Sequence, residues 1–338
     1  MYIVKNTSFG RGNGRVKRSM KMADERTAGI ADKHTATKQS TTAVNAIERN
    51  NKKALPSFED GGIIFFLHVP KTAGVTVRRA LSKGFERRKD SQNTSQVGKY
   101  FLADRRRKFD KYKNAINNYV RNGTKGKELV VFELHASDSP TLMEVADRLQ
   151  KWRRIATQNE VPFFAFTILR EPMSFAVSFF NFYYGMDHGD PNYEYFDLPE
   201  EKDFVRKAVF NPQCGFLVKS DICFRKKETK KLTRDECDAA YQTLLDNMDW
   251  VGTADRLSNE TFPLLRSLVA TNMNADHLLP ENIKRKNKSP KKISEEDLSQ
   301  KAVDYVRNLT IWDFEMYERI TDDFPYERMV VRDDTTLR

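Results

Sequence analysis

Three short stretches of the sequence combine residue types able to hold an anion and move a proton. The first is His68-Val69-Pro70-Lys71-Thr72-Ala73-Gly74-Val75-Thr76-Val77, which follows the apolar run Ile63–Leu67. A tight strand-to-helix turn built from small residues aims backbone N–H groups at one point, and the helix dipole reinforces them. Lys71 adds a full positive charge, and Thr72 and Thr76 add hydroxyl donors. The second stretch is Arg170-Glu171-Pro172, with Ser178 about two helical turns further on. Pro172 suits a first helical turn, where its missing N–H costs nothing, so Arg170 should stand at a strand end. A planar guanidinium and a hydroxyl can converge there on one phosphate. The third is His135, closing Phe132-Glu133-Leu134-His135-Ala136-Ser137-Asp138. An imidazole at a strand end is placed to accept a proton from a hydroxyl, best with a pKa near neutrality. Glu133, two residues back on the same face of a strand, is expected to orient that imidazole or to act as an alternative base.

Other chemistries fit less well. No G-x-x-x-x-G-K-[ST] pattern is present, which disfavours a kinase-like ATP site. His34 falls in a polar tail, His188 in the turn GMDHGDP and His277 in an apparent loop, while His68 is expected to support the loop that follows it. Cys214, Cys223 and Cys237 are too few for a disulfide framework and lack paired metal spacing. No metal site is expected, and Cys214–Cys223 is the candidate bridge. No RNA-recognition, zinc-finger or helix-turn-helix pattern supports a nucleic-acid partner, despite a pI near 9.4.

The elements that must position these groups read as α/β. Ile63–Leu67 (IIFFL), Leu129–Leu134 (LVVFEL) and Phe163–Leu169 (FFAFTIL) are continuous apolar runs, as expected of strands buried on both faces of a parallel sheet. Intervening helical segments make βαβ units, which bind ligands at the carboxyl ends of their strands. A fourth strand is expected at Trp250–Gly252 and a helix near 260–271. A closing helix is expected over Asp304–Thr321, with Val306, Leu309, Phe314, Tyr317 and Ile320 in the core. The Lys-rich stretch Lys284–Lys292 should be an exposed loop.

Charge and composition divide the chain. Residues 1–58 hold 12 Lys/Arg against 4 Asp/Glu and few large apolar residues, so they are expected to be disordered. Residues 59–330 are expected to form one domain and 331–338 a tail. Of the net charge of +11, the amino-terminal segment carries +8, so the rest is nearly balanced. Residues 83–127, with 14 Lys/Arg against 4 acids, form a local basic patch. Such a patch is either a surface for an anionic ligand or a solvated helical face. No apolar run reaches the roughly 18 residues of a membrane span, and no signal-peptide core lies near Met1. Sequons at Asn6, Asn93, Asn122, Asn259, Asn287 and Asn308 hint at a secreted glycoprotein.

These motifs together resemble a known family. HVPKTAGVTV is similar to the 5′-phosphosulfate loop of the carbohydrate sulfotransferases, nearest to the heparan sulfate 2-O and 6-O group. R-E-P with Ser178 resembles their 3′-phosphate motif R-[DE]-P-x-x-R-x-x-S, with Phe175 in place of the second Arg. The His135 segment resembles the stretch that carries their base. Asn211-Pro212-Gln213 and the Trp250–Leu257 segment resemble later motifs, with Gly215 where the family has Arg and Asp255 where it has Glu. The resemblance implies a P-loop-like three-layer fold with a central parallel sheet flanked by helices. It also implies 3′-phosphoadenosine 5′-phosphosulfate (PAPS) as sulfuryl donor without a metal, and a carbohydrate acceptor, such as an anionic polysaccharide. Lys71 and His135 would be catalytic. Lys71, Thr72, Ala73, Gly74, Val75, Thr76, Arg170 and Ser178 would hold the nucleotide, the loop mainly through its N–H groups. The implied location is the Golgi lumen, with membrane association only through an anchor beyond this chain. The alternative is a catalytically inactive protein of the same fold that binds acidic glycans.

Overall fold

The three apolar runs form adjacent strands of a five-stranded, all-parallel sheet. The computed structural model describes residues 53–86, 98–123, 128–137, 140–185, 195–196, 199–219, 232–269 and 293–331. All of them fall in the unit spanning Asn51–Arg338. In chain order the elements are β1 (Lys53–Leu55), β2 (Gly62–His68), α1 (Gly74–Glu86), β3 (Gly98–Ala103), α2 (Arg106–Asn122), β4 (Leu129–His135), α3 (Leu142–Gln158), β5 (Phe163–Leu169) and α4 (Pro172–Tyr183). There follow α5 (Glu201–Lys207), α6 (Pro212–Val218), α7 (Arg234–Asn247), β6 (Trp250–Thr253), α8 (Phe262–Val269), α9 (Gln300–Leu309), α10 (Ile311–Asp323) and β7 (Met329–Val331).

The strand order is β3-β4-β2-β5-β6. From β2 the chain crosses toward β3 on one side, and from β5 it crosses toward β6 on the other. The order therefore reverses between β2 and β5, and the crevice at their carboxyl ends is where an open α/β sheet binds ligands. Every residue of β2 and of β5 is buried. Alternation along the strands sends Phe65 and Phe132 to one face, where they meet Trp152 of α3 at 6.5 and 5.9 Å between ring centroids. Phe66 and Phe166 stack at 4.7 Å on the other face. Each such aromatic pair adds about 0.5–1.5 kcal/mol beyond its area burial.

Register then decides what faces what at the strand ends. Phe66 lies beside Glu133, and His68 beside His135. All four side chains share one face, so the polar groups sit on an aromatic floor.

Several expectations need correction. Leu55 and Phe58, assigned by composition to the amino-terminal segment, are buried, and β1 pairs in parallel with β7. The folded part thus begins by Lys53, before the expected boundary at 58, and Val331 belongs to it rather than to a tail. The basic patch 83–127 contains an edge strand, β3, as well as a helix; the strand is half exposed, and its short apolar run Tyr100–Ala103 is flanked by charged residues. The closing helix is two helices broken at Thr310, whose hydroxyl donates back to the Val306 carbonyl at 2.9 Å. Of its expected core positions Val306 and Ile320 are fully buried, while Leu309, Phe314 and Tyr317 are half-buried. Cys214 is bonded to Cys237, not to Cys223, because α6 packs on the start of α7 with the two Cα atoms 5.6 Å apart.

His34, His188, His277, Cys223 and Lys284–Lys292 lie outside the described residues. Of the six sequons, Asn122, Asn259 and Asn308 lie on described residues and are exposed. Among the described residues no helix is long and apolar enough to cross a membrane, and no three His, Cys, Asp or Glu side chains gather as a metal site.

Candidate functional site

The loop after β2 is sharply wound. Lys71 and Ala73 both adopt left-handed backbone, with φ of 65° and 68°. For residues with a Cβ this conformation carries strain that the surroundings must hold, a pattern that clusters at ligand sites. Thr72 is fully buried and its hydroxyl donates to the Val69 carbonyl at 2.8 Å, so it braces the turn instead of facing a ligand. The Thr76 N–H donates to the Ala73 carbonyl at 2.8 Å. Both of these donors close the loop itself. Gly74 and Val75, the first two residues of α1, keep the N–H groups that a helix start leaves without an intrahelical acceptor.

Gly74 is glycine because of His68. A Cβ at this position would lie 2.0 Å from the His68 ring. His68 is buried behind the loop, stacked on Phe66 at 5.5 Å. Its Nδ1 meets Glu133 Oε1 at 2.6 Å. The supporting role expected of His68 is thus the observed one.

Glu133 is the centre of a buried polar cluster. It accepts from Arg78 Nε at 2.9 Å and Nη2 at 2.6 Å, and from the Tyr100 hydroxyl. Burial alone would raise its pKa, but the hydrogen bonds from His68 and Arg78 outweigh this and hold it at about 2. Burial, and then the neighbouring Glu133 charge, raise the Tyr100 hydroxyl well above its usual range.

Glu133 does not orient His135, as the strand parity had suggested. His68, Arg78 and Tyr100 occupy it first. His135 meets Ser137 Oγ through Nδ1 at 2.7 Å instead, and packs edge-on against the His68 ring at 4.3 Å. With Nδ1 donating to Ser137, the Nε2 lone pair would be the proton acceptor. Burial first, and the neighbouring His68 second, push the imidazole down to about 3. The near-neutral titration expected of a base is therefore not found: His135 is uncharged at neutral pH, with an available lone pair of low basicity.

Arg170 meets the loop directly. Its Nη1 donates to the Lys71 carbonyl at 3.3 Å. The Lys71 ammonium sits 3.9 Å from the centroid of Phe182 on α4. Burial and the Arg170 charge push it down to about 8. Ser178 lies one turn before Phe182 on the same helix face, half-buried. The crevice thus joins Lys71, the helix start at Gly74 and Val75, Arg170 and the Ser178 face of α4. Pro172 opens α4 as expected, and Glu171 caps it by accepting the Met173 and Ser174 N–H groups at 3.0 and 2.6 Å. Phe175, which replaces the Arg of the resembled motif, is fully buried against Phe179 and Phe216 and makes no part of the crevice.

Sequence reasoning missed Arg78, Tyr100, Ser137 and Phe182. Arg78 could have been found: four residues past Gly74, it lies one turn up a helix that must cover Glu133. The others depend on strand register and helix docking. No protein-family model and no curated protein matches the chain.

Proposed function

We propose that this protein is a PAPS-dependent sulfotransferase of P-loop-like three-layer fold that sulfates a hydroxyl of a carbohydrate acceptor. The observation that carries the reading is the contact between Arg170 and the Lys71 loop at the reversal of strand order, 3.3 Å from Nη1 to carbonyl oxygen. Two cationic groups and a helix start converge there, as a nucleotide with a phosphate at each end of its ribose requires.

In this reading the Gly74 and Val75 N–H groups hold the 5′-phosphate, and Arg170 with Ser178 holds the 3′-phosphate. The acceptor oxygen attacks sulfur in line as the bond from sulfur to the bridging oxygen breaks. Lys71 neutralises the charge that develops on that oxygen, and His135 Nε2 receives the hydroxyl proton. Positioning and charge neutralisation carry most of the rate. The donor's own anionic groups raise both Lys71 and His135 from their values in the free protein.

Register supports an anionic polysaccharide as acceptor. Ala103 pairs with Leu134, so the exposed Arg105 and Arg107 that follow lie at the same sheet edge as His135. The Cys214–Cys237 disulfide fits an oxidising compartment, and we place the enzyme in the Golgi lumen. A second reading, an inactive protein that binds acidic glycans, is favoured by the low basicity of His135.

The deciding experiment incubates the protein with labelled PAPS and heparan, chondroitin, galactan and tyrosine acceptors, beside melting with adenosine 3′,5′-bisphosphate. Label transfer to a glycan supports the enzyme. Nucleotide protection without transfer keeps the donor site and points to another acceptor, whereas the absence of both protection and transfer rejects the enzyme and favours the glycan binder.

A further inference from the structure

Gln213 is fully buried, yet its polar end serves one residue. Its Oε1 accepts the Arg170 N–H at 2.9 Å, and its Nε2 donates to the Arg170 carbonyl at 2.7 Å. Pairing by β6 extends along β5 as far as Leu169, and pairing by β2 only as far as Thr167. Arg170 is thus the first residue past the ladder, and the side-chain amide of Gln213 supplies the two hydrogen bonds that a further strand residue would have made.

The element carrying Gln213 is itself anchored. The Asp313 carboxylate accepts the N–H groups of Gln213 and Cys214 at 2.9 and 2.8 Å. Asn211, in left-handed backbone with φ of 37°, accepts the Trp312 and Asp313 N–H groups at 3.0 and 3.1 Å. Cys214 is bonded to Cys237 on α7. The first turn of α6 is therefore tied to two other helices, and it passes that rigidity to one main-chain unit at the crevice.

We propose that Gln213 is a positioning residue for Arg170. It fixes the Arg170 main chain so that the guanidinium is already aimed when the nucleotide's 3′-phosphate arrives. The inference rests on the nucleotide reading above and adds to it a residue that touches neither ligand nor acceptor. A group held in advance binds more tightly because less freedom is lost on association. The effect must therefore fall on the 3′-phosphate alone.

The test measures calorimetric affinity for adenosine 3′,5′-bisphosphate and adenosine 5′-monophosphate in the full chain. Wild type is compared with Gln213→Met, which keeps volume and loses both hydrogen bonds, with Arg170→Gln, and with the double variant. We expect Gln213→Met to cut the preference for the bisphosphate about tenfold, the scale of one weakened charge-assisted hydrogen bond. Affinity for the monophosphate should stay unchanged, and the Arg170→Gln background should show no further loss. Should the methionine variant not fold, Gln213→Glu decides: it keeps the acceptor for the Arg170 N–H, so a smaller loss in the same direction is expected. Equal loss for both nucleotides, or an unchanged preference, overturns the proposal. A wild type that binds the monophosphate as well as the bisphosphate rejects the nucleotide assignment, and this inference with it.

Discussion

Arg170 Nη1 donates to the Lys71 carbonyl at 3.3 Å, joining two loops 99 residues apart in the chain. The two cations nevertheless do different work in the proposed reaction. Lys71→Ala should reduce transfer at saturating donor by at least about a hundredfold, the usual cost of losing a group that stabilises developing charge. Arg170→Ala should instead weaken binding of adenosine 3′,5′-bisphosphate by about ten- to a hundredfold with a smaller effect on turnover. Steady-state kinetics with calorimetry separates them, and matching losses in both variants would contradict the division of roles.

Lys71 must be protonated to neutralise a leaving oxygen, and in the free protein burial and Arg170 hold it at about 8. Its proton is kept below that pH and lost above it. We expect kcat/KM to fall about tenfold per pH unit above about 8. Phe182→Leu, which removes a ring 3.9 Å from the ammonium, should move this limb to lower pH. Lys71→Arg should be slower but lack the limb.

His135→Ala should abolish transfer while nucleotide binding persists. Ser137→Ala, which removes the partner of Nδ1, should lower turnover by about tenfold by freeing the ring to turn. Full activity of the His135→Ala protein rejects the base assignment.

Glu133 contributes to acid stability. Its folded pKa of about 2 lies below the carboxylate value of 4.5, so the unfolded chain takes up the proton first. The stabilisation is complete above pH 4.5 and is lost as pH falls through about 2, with a size on the order of 3 kcal/mol. Denaturant titrations should show this loss in wild type. Glu133→Gln should be less stable at neutral pH and nearly flat across that window.

Reducing the Cys214–Cys237 bond should lower unfolding free energy by about 2–4 kcal/mol. The Cys214→Ser/Cys237→Ser variant should unfold at the same lowered temperature, with or without reductant. Scanning calorimetry checks both, and unchanged melting on reduction would argue that the bond constrains little.

Much of the scaffold was legible because it depends on short-range pattern. Continuous apolar runs can be buried only on both faces, so Ile63–Leu67, Leu129–Leu134 and Phe163–Leu169 read as central strands, and each is one. Pro172 could only open a helix, which placed Arg170 at a strand end. By contrast β3 was hidden by its half-exposed edge position, and the break between α9 and α10 by the absence of Gly or Pro: the chain there runs Leu309-Thr310-Ile311.

The sequence by itself determined that three strands would be buried, that a turn rich in small residues would follow the first, and that Arg170 and His135 would stand at strand ends. Each of these follows from backbone geometry and side-chain burial within about ten residues. Only the tertiary structure decided who pairs with whom. Glu133 goes to His68, Arg78 and Tyr100 instead of His135, Cys214 to Cys237, and Gln213 to Arg170. A buried polar group takes the partner that strand register and helix docking bring within about 3 Å, and no local spacing encodes that choice. The same holds for charge: what lowers His135 and Lys71 is the packing around them, which exists only once the chain has folded.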